Sequence, residues 1–127
     1  MQELDARTND LSYEIIGAAI EVHRVLGPGL LESIYESALC VELEHRQIPY
    51  ECQKEVSVLY KNQHVGVNRL DLLVADRVIV ELKAVERLEP VHSAQLMTYM
   101  KITNKRLGLL INFNVRILKD GIKRIIL

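Results

Sequence analysis

At 127 residues, 49% of them hydrophobic and 26% charged, the chain is long enough for one domain with one sizeable core and too apolar to be disordered. A formal net charge of −1 excludes the overall basic excess of an avid nucleic-acid binder, so any polyanion site must be local. No apolar run approaches the ~18 residues of a membrane span, and Cys40 and Cys52 make neither a zinc spacing nor a disulfide framework.

The first residues carry Glu3, Asp5, Arg7 and Asp10 and lack the apolar core of a secretory signal. A cytoplasmic protein with reduced thiols is the expectation, with Cys40 buried on a helix and residues 1–8 frayed. Asn9 or Asp10 can cap a first helix running to Leu26, striped by Leu11, Ile15, Ala18, Ala19, Val22 and Leu26. Gly27-Pro28-Gly29 stops it. A second helix is predicted over Leu30–Arg46. Leu31, Ile34, Tyr35 and Ala38 lie on one side with Glu42 at its margin, and Leu30 and Leu39 alongside. Glu32 lies one turn before Tyr35 and Glu36. As a first-turn carboxylate facing the helix dipole, it needs no function to explain it.

Glu55–Tyr60 reads as a strand, Lys61-Asn62-Gln63 as a turn, and His64–Val74 as a longer strand bent at Gly66. A third strand, Val78–Lys83, follows. Charges interrupt these greasy runs: Asp71 in the second strand, Glu81 and Lys83 in the third. A buried carboxylate without a partner costs several kcal/mol or changes its protonation, so the three charges need partners or a metal. Alternation places Glu81 and Lys83 on one face and Val78, Val80 and Leu82 on the other. Asp71 joins the charged face if it stands opposite Glu81, which pairs Val74 with Val78 and leaves Ala75-Asp76-Arg77 as a three-residue loop. Two convergent carboxylates suit Mg²⁺ or Mn²⁺, and a lysine two residues on can hold an attacking water or phosphate charge. A solvated sheet face with a structural Asp71–Lys83 pair accounts for the same residues.

Ala84–Glu89 is a polar loop, and Pro90 opens a helix over Val91–Thr103 that Asn104 can terminate. Gln95 and Tyr99, four apart, share one face of it, as site residues or as ordinary polar surface. Leu107–Ile111 is an apolar strand buried on both faces. Asn112–Arg116 leads to an Asp120-Gly121 turn and an extended end, Ile122–Leu127. The order αα-βββ-α-β implies a crossover and a mixed sheet covered on both faces. Lys101, Lys105 and Arg106, and further on Arg116, Lys119, Lys123 and Arg124, read as solvated basic faces rather than polyanion patches.

These elements carry a family resemblance over about Leu11–Leu127. Gly29-Leu30-Leu31-Glu32-Ser33-Ile34-Tyr35 resembles the motif of the GxxExxY proteins, a branch of the PD-(D/E)xK nuclease-like superfamily. Asp71 followed by Glu81-Leu82-Lys83 resembles the superfamily signature, with Leu70 where the naming proline would stand. Gln95-Leu96-Met97-Thr98-Tyr99 resembles the QxxxY element of the RecB-like branch. The resemblance implies an α/β (α+β) restriction-endonuclease-like αβββαβ core in a single domain spanning 1–127, with an extra N-terminal helix. It also implies a nuclease in which Asp71 and Glu81 hold Mg²⁺ (or Mn²⁺), approached by Glu32, and Lys83 assists the water. Gln95, Tyr99 and Tyr35 would support the site or contact substrate.

The implied partner is nucleic acid, DNA ahead of RNA, with no membrane. The alternative is a non-catalytic or regulatory binding module of the same fold, because a fold does not fix a function. Exposed sheet edges on so small a domain suggest a homodimer or a partner protein.

Overall fold

A computed structural model describes residues 4–127. Asp5 starts the first helix, α1 (Ala6–Leu26), accepting the Thr8 N–H at 2.8 Å. The cap therefore lies several residues before Asn9, and residues 6–8 are helical rather than frayed; the rest of that expectation, residues 1–3, lies outside the described residues. A capping carboxylate satisfies a free N–H of the first turn, which is why a short polar lead-in folds. Gly27, with φ 71, ends the helix.

The second helix, α2, spans Glu32–His45. Its buried face is Tyr35, Leu39 and Leu43, while Leu31 and Ile34 point outward, so the apolar side lies about a quarter turn from the expected one. Cys40 is half-buried against the core rather than enclosed.

The five strands are β1 (Tyr50–Tyr60), β2 (Gln63–Val74), β3 (Val78–Lys83), β4 (Leu107–Asn112) and β5 (Ile122–Ile126), in the spatial order β1-β2-β3-β4-β5. All neighbours are antiparallel except β3 and β4, which the third helix, α3 (Pro90–Thr103), connects as a parallel crossover. The mixed sheet with helices on both faces is thus present. β1 begins at Tyr50, five residues before the expected start, because pairing of Tyr50, Glu51 and Cys52 with Val74, Leu73 and Leu72 continues the hairpin across a polar stretch. Beyond Lys54 and Leu70 the β1–β2 pair runs on past the rest of the sheet as a two-stranded ribbon bearing exposed Leu59, Tyr60, Val65 and Val67. A bulge between Val58 and Leu59, against the Gly66–His64 stretch, provides the expected bend.

Two cores sit on the two sheet faces. Leu72, Val74, Val78, Val80, Leu82, Leu107, Leu109 and Ile111 pack under α1 and α2. Leu70, Leu73, Ile79 and Leu110 pack under Leu96 and Met100 of α3. Gly108 lets α3 sit close: a Cβ there would stand 2.7 Å from Met100 Sδ and 2.9 Å from Leu96 Cδ1. Among the described residues no helix is long and apolar enough to cross a membrane.

Candidate metal centre

β2, β3 and α2 bring the charged residues together. Val74 stands opposite Val78 and Leu72 opposite Val80, the register that sets Asp71 across from Glu81. The turn tolerates Arg77 because its left-handed residues are Ala75 and Asp76, closed by an Arg77 N–H bond to Val74 O at 2.9 Å. Regular backbone pairing ends before Asp71, and side chains take it over. Leu82 N–H donates to Asp71 Oδ2 at 2.8 Å, and Asp71 N–H makes a long contact of 3.4 Å with Glu81 Oε1. Each carboxylate thus satisfies a main-chain donor of the other strand, which keeps both in place where the ladder opens.

Side-chain alternation fails at the same point. Leu70 packs under α3 and Leu72 under α1 and α2, although two residues apart on a regular strand share a face. Asp71 therefore sits at a seam between the faces. On one side it meets Glu81; on the other it lines a cleft of about 250 Å³ with Glu32, Ser33, Glu36, Gln53 and Leu82. β1 is irregular here too: Cys52 pairs with Leu72 and Lys54 with Leu70, but Gln53 and Asp71 between them do not pair. Gln53 has φ 51 and donates from Nε2 to Glu36 Oε1 at 2.6 Å.

The electrostatics follow from this crowding. Glu81 is 7% exposed, and burial together with the charge of Asp71 pushes its carboxyl up to about 9. Glu32 is raised in the same direction by partial desolvation, then by Asp71, even though the residue as a whole is exposed on α2. Half-buried Lys83 works against both shifts, so its ammonium lies within electrostatic reach of Glu32 and Glu81 alike. Burial, then the charges of Glu81 and Asp71, raise the Tyr99 phenol on α3.

Among the described residues no group of three or more His, Cys, Asp or Glu side chains is close enough to hold one ion. Asp71 and Glu81 form the pair, and Glu32 shares the cleft with Asp71 rather than completing a three-carboxylate cage. Gln95 is exposed one turn before Tyr99 and makes no hydrogen bond to these carboxylates. Tyr35 is fully buried: its hydroxyl donates to Gly27 O at 2.5 Å and accepts Leu30 N–H at 3.1 Å, and its ring stacks on Phe113 at 4.5 Å. It supports the loop ahead of Glu32, and no surface is left for substrate.

Sequence reasoning missed two residues. Gln53 fell before the expected start of its strand, and nothing in the run Glu51-Cys52-Gln53-Lys54 marks it. Asn112 is 2% exposed and binds both polar groups of Val85, accepting its N–H at 3.1 Å and donating to its carbonyl at 2.9 Å. It ties down the chain just beyond Lys83. The signal was available: a polar residue directly ending the wholly apolar Leu107–Ile111 run is an invitation to look for a buried partner.

The donor set fits a hard divalent cation. Two carboxylates pressed together at a buried position ionise together only if positive charge lies between or beside them. Mg²⁺ in particular binds through one or two carboxylates, completing its shell with waters and phosphate oxygens.

A family model described as the PD-(D/E)XK nuclease superfamily matches residues 9–125. No curated protein and no solved structure matches the chain.

Proposed function

Because the chain belongs to the PD-(D/E)XK nuclease superfamily, we propose that it is a metal-dependent nuclease of the GxxExxY, RecB-like kind. It hydrolyses phosphodiester bonds in the cytoplasm, DNA in preference to RNA. The single observation that carries the reading is the interlocked Asp71–Glu81 pair with Lys83 next along β3. A purely structural strand has no physical need for such charges among apolar neighbours.

In this reading Asp71 and Glu81 supply oxygen ligands to Mg²⁺ or Mn²⁺, with Glu32 approaching from α2. The chemistry such an ion supplies is neutralisation of phosphate charge and acidification of a bound water. Lys83 orients the attacking water and stabilises charge developing on the phosphate. Tyr99 orients phosphate or water by hydrogen bonding, and Gln95 meets the substrate from the exposed turn before it.

Purified protein is expected to nick plasmid DNA with Mg²⁺ or Mn²⁺. Asp71→Ala and Lys83→Ala should each lower the rate by about 10²-fold or more. An inactive wild type on duplex, single-stranded and branched substrates, DNA and RNA, would leave the second reading, a binding module. One observation favours that module: Glu32, Glu36 and Asp71 make the cleft acidic, and no cationic side chain lines it. It would need a second copy or a partner protein to grip a polyanion. A monomeric solution mass combined with robust cleavage would exclude it.

A further inference from the structure

Gln53 lies in the wall of the cleft, where neither its backbone nor its side chain behaves as strand geometry dictates. Every other described non-glycine residue with a left-handed backbone closes a turn or a helix end; Gln53 alone, at φ 51, lies inside a strand. Glutamine gains nothing locally from this conformation, which glycine and asparagine adopt more readily. Strain held against such an alternative points to a use for the side chain.

The neighbours show what that use is. Gln53 stands across from Asp71 in the β1–β2 register, at the one step between Cys52–Leu72 and Lys54–Leu70 where the strands do not pair. At that step Asp71 N–H faces Glu81 Oε1, not β1. The Gln53 carboxamide reaches in the opposite direction, to Glu36 Oε1 at 2.6 Å. Glu36 is one turn after Glu32 on α2, so a bond from β1 to Glu36 fixes the rotation and height of the turn that carries Glu32. Gln53, Asp71, Glu36 and Glu32 line the same cleft.

We propose that Gln53 is a positioning residue for the metal-binding carboxylates, its backbone kink releasing Asp71 toward Glu81 while its carboxamide clamps Glu36 and so sets the distance from Glu32 to Asp71. It touches neither metal nor substrate and acts through the residues that do. Outer residues of this kind change metal affinity by about 10- to 100-fold when lost. The inference rests on the metal reading given above.

Calorimetric titration with MnCl₂, without substrate, tests it on wild type, Gln53→Gly, Glu36→Ala and the double variant. Glycine suits the left-handed backbone, so Gln53→Gly should melt within about 3 °C of wild type. Its Kd for Mn²⁺ should nonetheless rise about tenfold. Glu36→Ala should lose a similar factor, and the double variant little more than either single one, because one clamp is removed in each case. A merely structural glutamine would move the melting temperature and leave Mn²⁺ affinity alone. A Gln53→Gly affinity within about twofold of wild type, or losses that multiply in the double variant, would overturn the assignment while leaving the metal reading intact. No Mn²⁺ binding by wild type would overturn both.

Discussion

The β2–β3 hairpin has two ends built on opposite rules. At the closed end Leu72, Leu73 and Val74 pair with Val80, Ile79 and Val78, backbone to backbone, with apolar side chains filling both sheet faces. At the open end, one residue further along each strand, the ladder stops and two carboxylates occupy the donors it leaves. The closed end is stabilised by burial. The open end carries a buried glutamate that burial and the charge of Asp71 keep protonated up to about pH 9. The closed end thus holds, at fixed register, a pair of groups that repel one another.

Substitutions at the two ends should separate stability from metal binding. Ile79 is fully buried beneath α3. Ile79→Ala should cost about 2–5 kcal/mol in urea unfolding, with Mn²⁺ affinity of the folded protein little changed. Glu81→Gln, two residues away, should do the reverse. At neutral pH it replaces a protonated carboxyl by a neutral amide of the same shape and so leaves stability little changed, while Mn²⁺ binding is lost. If both variants lose stability and affinity together, the two ends are one cooperative unit and the contrast between them fails.

A pH series sharpens the same contrast. In the folded metal-free protein Glu81 keeps its proton up to about pH 9, whereas in the unfolded chain it titrates near 4.5. Between those values the folded state binds more protons, so stability falls as pH rises through the window. The loss should amount to a few kcal/mol at most between pH 5 and 9, read from chemical denaturation at each pH. Glu81→Gln should flatten the slope. Saturating Mn²⁺ should reverse it, because the ion favours the deprotonated pair. A slope unaffected by either would remove Glu81 as its source.

Much of this was legible in the chain itself. The Val74–Val78 register followed from requiring Asp71 and Glu81 to meet, and the crossover helix followed from Pro90 and Asn104, which does adopt the left-handed cap at φ 56. What escaped depended on tertiary contacts. Periodicity on α2 marks Leu31, Ile34, Tyr35 and Ala38, with Leu30 and Leu39 alongside; of these Tyr35 and Leu39 pack, joined by Leu43, on the side chosen by the sheet it meets. Regular alternation was assumed through Asp71, yet it breaks there, and no periodicity argument detects a break confined to one residue. Gln53 was invisible for the same reason. Its role exists only because Asp71 lies across from it.

Tyr35 offers the smallest effect and a clean discrimination, since motif position leaves open support of the site or a substrate contact and the structure buries it. Tyr35→Phe keeps the ring stacked on Phe113 and removes only the hydroxyl. Gly27 O and Leu30 N–H then lose their shared partner, at a cost of about 1–2 kcal/mol in unfolding free energy. The loop it closes leads directly into Glu32 at the first turn of α2, so any functional effect should pass through that turn. Mn²⁺ affinity should fall by less than about threefold, and KM for a DNA substrate should not change, as expected for a residue acting on the frame and not on the ligand. A raised KM with unaltered stability would return Tyr35 to the substrate and show that the loop opens when nucleic acid binds.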